Sequence, residues 1–104
     1  MFELIHVGIP TNEPREGEIY SEAKGLYFTR PDGSPFAIEY CRYLDNCVFP
    51  ESMRNTFHVA ARVDDIDAYI AMADEVIFPK LDNGAFWMAF VKKDGVIFEL
   101  QQNK

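Results

Sequence analysis

The chain opens on FELIHVGI, residues 2–9, where Leu4, His6 and Gly8 alternate with Ile5, Val7 and Ile9. A period of two is strand patterning, so this stretch is predicted to be a β-strand with two distinct faces. Residues 10–24 (PTNEPREGEIYSEAK) carry prolines, a glycine and several glutamates without a helical apolar stripe. They read as loop or a marginal edge segment. GLYFTR, the turn PDGS and PFAIEYCRYL then make a β-hairpin around Asp32-Gly33, and residues 45–56 form a polar connector.

The second half restarts the pattern. FHVAARV is a strand with Phe57, Val59, Ala61 and Val63 on one face and His58, Ala60 and Arg62 on the other. DDIDAYIAMADE reads as a helix: an Asp supplies the N-cap, and Ile66, Tyr69, Ile70 and Ala73 form the apolar stripe. VIFPKL is a strand expected to stop at Pro79. GAFWMAFVKK and VIFELQQ flank Asp94-Gly95 as a two-residue hairpin. The order is β-α-β-β-β.

The two halves repeat one another. The chain has two histidines, each second in an apolar-His-Val strand, and each half ends in a hairpin followed by an apolar-Glu-apolar triplet, IEY at 38–40 and FEL at 98–100. Such duplication is a primary clue to architecture. With Asp94-Gly95 as the turn, Lys93 pairs with Val96 and Phe90 falls opposite Glu99. With a four-residue turn at Asp32–Pro35, Pro31 pairs with Phe36 and Phe28 falls opposite Glu39. The first half is the shorter, consistent with a missing helix over 10–24.

Composition narrows the classes. With 104 residues, 48% hydrophobic and 14% aromatic, the chain is expected to be one folded domain, with residues 1–44 as a trimmed unit and 57–104 as a complete one. The net charge of −7 argues against nucleic acid and anionic membrane as partners. Neither a cationic leader nor a long apolar run is present, and Cys41 and Cys47 are too few for a disulfide scaffold, so a cytoplasmic protein is expected.

His6, Glu39, His58 and Glu99 emerge as four candidate metal ligands on strands. Two imidazoles with two carboxylates suit a borderline divalent ion such as Zn, Ni, Co, Mn or Fe. A His–Glu ion pair within each half would satisfy the same groups without metal. Arg62 shares the His58 face and could hold an anionic substrate group, or form a salt bridge to Glu39 or Glu99. Cys41 lies on the Glu39 face and is read as packing. Phe28, Met88 and Phe90 are expected to line the cleft. Ile5, Val7, Ile9, Ile38 and Tyr40, on the opposite faces, need cover, from the helix and residues 10–24 or from a second subunit; a homodimer is expected.

The phrase FHVAARVDDIDAYIAMADEVIFP with FWMAFVKKDGVIFELQ is similar to the vicinal oxygen chelate superfamily, the group of glyoxalase I, extradiol dioxygenases and bleomycin-binding proteins. HVGIP and IEY extend the likeness to the first half. The resemblance implies an α+β fold of two βαβββ-type modules, the first here lacking its helix, forming a curved mixed sheet around a cleft. It implies metal ligands from the first and last strands of each module, which are His6, Glu39, His58 and Glu99. It further implies a small metal-dependent isomerase or lyase acting on an oxygen-chelating substrate through an enediolate or oxyanion intermediate, with Glu39 or Glu99 as the catalytic base. The alternative within the same family is a metal-free protein that sequesters a small ligand.

Overall fold

A computed structural model describes all residues, Met1–Lys104. It shows a mixed α+β protein dominated by strands, in the order β1 (Phe2–Pro10), β2 (Ile19–Ser21), β3 (Leu26–Phe28), β4 (Ile38–Tyr43), α1 (Glu51–Arg54), β5 (His58–Val63), α2 (Ile66–Met72), β6 (Glu75–Asp82), β7 (Phe86–Lys93) and β8 (Val96–Asn103). Two compact units divide the chain: His6–Phe57, and Met1–Ile5 together with His58–Lys104. Strand β1 therefore contributes residues to both. No helix is long and apolar enough to cross a membrane.

In the His6–Phe57 unit the strands run in the order β2-β3-β4-β1. β1 and β4 are parallel, with Gly8 opposite Glu39 and Pro10 opposite Cys41. β3 and β4 form the expected antiparallel hairpin, but its register differs from the expected one: Phe28 lies opposite Cys41, not Glu39. The connection is longer than a four-residue turn, because Pro31–Gly33 form a 3-10 turn and Ala37 takes a left-handed φ of 53°. The offset is an even number of residues, so Phe28 keeps its face.

The segment expected to be loop or edge supplies β2, and two arginines hold it. Arg42 forks onto Glu18 at 2.7 and 3.0 Å and lies 4.2 Å over the Tyr27 ring. Arg15 sits 3.8 Å over Tyr40, giving that ring part of its cover. The connector at 45–56 is less polar in effect than in composition: it contributes α1 and the buried Phe49 and Met53.

In the other unit the order is β1-β5-β8-β7-β6. β5 and β8 are parallel, and β7 and β8 are antiparallel with Lys93 opposite Val96 and Phe90 opposite Glu99, as the turn geometry requires. Asp94 and Gly95 take φ of 51° and 80°, the left-handed pair that a two-residue hairpin needs. Helix α2 is capped by Asp65, which accepts from the Ala68 N–H at 3.1 Å. Its stripe packs Ile66 with Val63, Ala89, Val91 and Leu100, flanked by Tyr69, Ile70 and Ala73. Each of the larger of these buried side chains stabilises the fold by roughly 1.5–3 kcal/mol before entropy.

Pro79 does not stop its strand. β6 continues to Asp82, with register shifts between Val76 and Phe78 and between Phe78 and Leu81. β6 is an edge strand, so a proline there removes no ladder hydrogen bond from an outer neighbour, and the irregular register absorbs its fixed φ.

Candidate metal centre

Each unit holds one His–Glu pair, buried in the second and partly buried in the first, and the two pairs are built alike. In the first, His6 Nε2 lies 3.4 Å from Glu39 Oε1, the side chains being 6% and 16% exposed. In the second, His58 Nε2 lies 3.2 Å from Glu99 Oε1, at 3% and 10%. The cause is shared register. Gly8 opposes Glu39 on parallel strands and Ala60 opposes Glu99 on parallel strands. In both cases the histidine stands two residues earlier, on the face of that opposed residue, so the imidazole reaches diagonally to the carboxylate.

The likeness extends one residue further. Two positions after each glutamate, on the same strand face, stands a donor. Cys41 donates from its thiol to Glu39 Oε1 at 3.1 Å, and the Gln101 amide donates to Glu99 Oε2 at 2.5 Å. Both glutamates are thus held by an imidazole on one neighbouring strand and an i+2 side chain on their own. Neither donor was singled out for this role by the sequence, although the same-face spacing that could have found them is plain in EYC and ELQ. Further along the first face, burial pushes the Tyr43 phenol well above its ordinary pKa, with Cys41 and Glu39 adding to the effect.

The remaining expected site residues fall as follows. Phe90 is buried, opposite Glu99, with its ring edge-on to His58 at 5.5 Å and 83°. Met88 is buried opposite Gln101. Phe28, opposite Cys41, therefore corresponds to Met88 and not to Phe90, which corrects the expected pairing. Arg62 contacts Glu3 through Nη1 at 3.4 Å, not Glu39 or Glu99, and its Nε is buried without a hydrogen-bond partner. That guanidinium retains donors for an anion.

Either pair could hold a divalent cation. Nitrogen and oxygen each about 2.1 Å from one ion, at 90–110°, stand roughly 2.9–3.4 Å apart, and the observed separations are 3.4 and 3.2 Å.

Compared with known proteins, the chain matches no family model and no curated protein. It is similar to a crystal structure of the hypothetical protein BH1468 from Bacillus halodurans C-125, with a TM-score of 0.61 and 15% identity over 99% of this chain and 95% of that one. At that identity the likeness is one of fold.

Proposed function

We propose that this chain is a small metal-dependent enzyme of the vicinal oxygen chelate type, composed of a trimmed module and a complete βαβββ module. In this reading His6, Glu39, His58 and Glu99 are the metal ligands, and the protein is an isomerase or lyase for a small substrate bearing adjacent oxygens. The observation that supports it is the duplicated constellation: in each unit a buried histidine beside a glutamate at metal-bite distance, with an i+2 donor behind the glutamate.

The ion, when bound, supplies Lewis-acid stabilisation of negative charge on a substrate oxygen. The chain supplies the rest. Glu39 and Glu99 are the groups able to take a proton from a substrate carbon and return it to a neighbour. Cys41 and Gln101 each hold a carboxylate in place while it does so. Phe90 and Met88 keep bulk water from the His58–Glu99 pair. Arg62, with its spare donors, is suited to an anionic substrate group.

Elemental analysis of protein purified without an affinity tag tests this reading. We expect near-stoichiometric divalent metal that falls to trace levels in the His6→Ala, His58→Ala double variant. Substoichiometric metal, unchanged in that variant, would instead favour a metal-free protein that sequesters a small planar ligand. That second reading has its own support in the direct His–Glu contacts, which give each carboxylate a neighbouring polar partner without a metal.

A further inference from the structure

The parallel pairing of β1 and β4 brings the C-terminal ends of both strands to one edge of the sheet. Just past β1 the Thr11 N–H bonds the Cys41 carbonyl at 2.9 Å, and the Thr11 hydroxyl oxygen accepts the Glu13 N–H at 3.2 Å. That local turn fixes the course of the chain as it leaves the strand. Beside it lies a pocket of about 190 Å³, lined by Thr11 and Asn12 after β1, Tyr43 at the end of β4, and Glu51, Arg54 and Asn55 on and after α1. All six residues belong to the His6–Phe57 unit. The walls are almost wholly polar.

Arg54 sets the sign of an occupant. Its Nε is buried and has no hydrogen-bond partner. A guanidinium keeps its charge and offers donors only. A donor withdrawn from water and left unpaired is costly, and an acceptor in the pocket removes that cost. The planar fork of Arg favours a carboxylate as that acceptor. Glu51, three residues earlier on α1, is the one acidic residue in the lining. It would repel a second negative group on the occupant and accept a hydrogen bond from a hydroxyl. Asn12 and Asn55 add amide groups that both donate and accept. The volume fits this chemistry. An apolar cavity of roughly 150 Å³ takes benzene, so about 190 Å³ holds about six to eight heavy atoms.

We propose that this pocket binds a small hydroxy acid carrying a single carboxylate, with the carboxylate on Arg54 and its hydroxyls among Glu51, Asn12 and Asn55. The site uses none of the His–Glu residues and does not depend on the function proposed for them.

The test is titration of the full chain with glycerate, followed by backbone amide NMR. Propionate, which lacks the hydroxyls, and glycerol, which lacks the charge, are the comparators. We expect saturable glycerate binding with shifts centred on Thr11, Asn12, Arg54 and Asn55, and weaker binding of both comparators. Arg54→Gln should weaken glycerate about 10-fold or more, and Asn12→Ala about 3-fold. The His6→Ala, His58→Ala variant should bind as the parent does. Absence of saturable binding would overturn the proposal, as would propionate or glycerol binding as tightly as glycerate. Loss of binding in the double histidine variant would place the ligand at the His–Glu pairs and also overturn it. So would parental affinity in a folded Arg54→Gln protein or, where that variant does not fold, in Asn12→Ala.

Discussion

Glu99 is held from two directions, by the His58 imidazole on Oε1 and by the Gln101 amide on Oε2, in surroundings that admit little water. A carboxylate so placed owes its tolerance to the Gln101 hydrogen bond and the adjacent imidazole, since a buried charge without partners would be costly. Gln101→Leu keeps the volume and removes the donor. We expect it to destabilise the fold by about 1–2 kcal/mol in urea denaturation. If the metal reading holds, it should also weaken Zn²⁺ or Co²⁺ affinity by about 10-fold or more, as loss of a group that orients a ligand does. A stability loss with unchanged metal affinity would confine Gln101 to a structural role. Cys41 is the matching residue beside Glu39, and its burial at 3% exposure agrees with the packing read from the sequence while adding a hydrogen bond to it.

At the level of elements, what the sequence revealed depended on how local the determinant was. The Asp94-Gly95 turn dictates its own register, and every pair from Lys93–Val96 to Phe90–Glu99 followed from it. The Asp65 cap and the stripe of α2 are equally local. The Phe28 register was misjudged because a 3-10 turn and a left-handed Ala37 lengthen that connection, neither of which the letters PDGS announce. β2 and α1 were missed or left open because they rest on tertiary partners: the Arg42 fork onto Glu18, and Met53 in the core. Of the candidate site, the His–Glu pairing could be read from the repeat, whereas the donors Cys41 and Gln101 and the Glu3 partner of Arg62 needed coordinates. Two glycines separate a local from a tertiary constraint. Gly95, at φ 80°, faces open space, so Gly95→Ala should cost only the left-handed penalty of about 1–2 kcal/mol. Gly25, at φ 74°, would place a Cβ 2.9 Å from the backbone of Asn46 and Cys47. Gly25→Ala should therefore cost clearly more, above about 2 kcal/mol. Equal denaturation midpoints for the two variants would contradict the close approach.

For the whole molecule, pH acts through groups spread over both units. Hydrogen bonds hold four carboxyls below their ordinary range: Glu18 through Arg42, Asp64 through the terminal amine, Asp74 through the Asp94 N–H, and Asp82 through Lys104. A depressed folded-state pKa contributes stability above the unfolded value, about 4, that disappears as pH falls through the folded value. Tyr43 works at the other end. Its phenol is held up by burial, so its contribution is complete below about 10 and is lost as pH rises beyond. Urea midpoints should accordingly be flat from about pH 6 to 9 and decline on both sides; a midpoint constant down to pH 3 would show that these four carboxyl interactions contribute nothing. The course of β6 has a different consequence. A sheet border normally presents a row of open amides and carbonyls on which another chain can build. Here that border carries an imino acid with no amide hydrogen, two slips of register and the charged Lys80, which together deny an incoming strand a continuous template. The proline that leaves this strand unbroken is thus also a guard against fibrillar growth from that side.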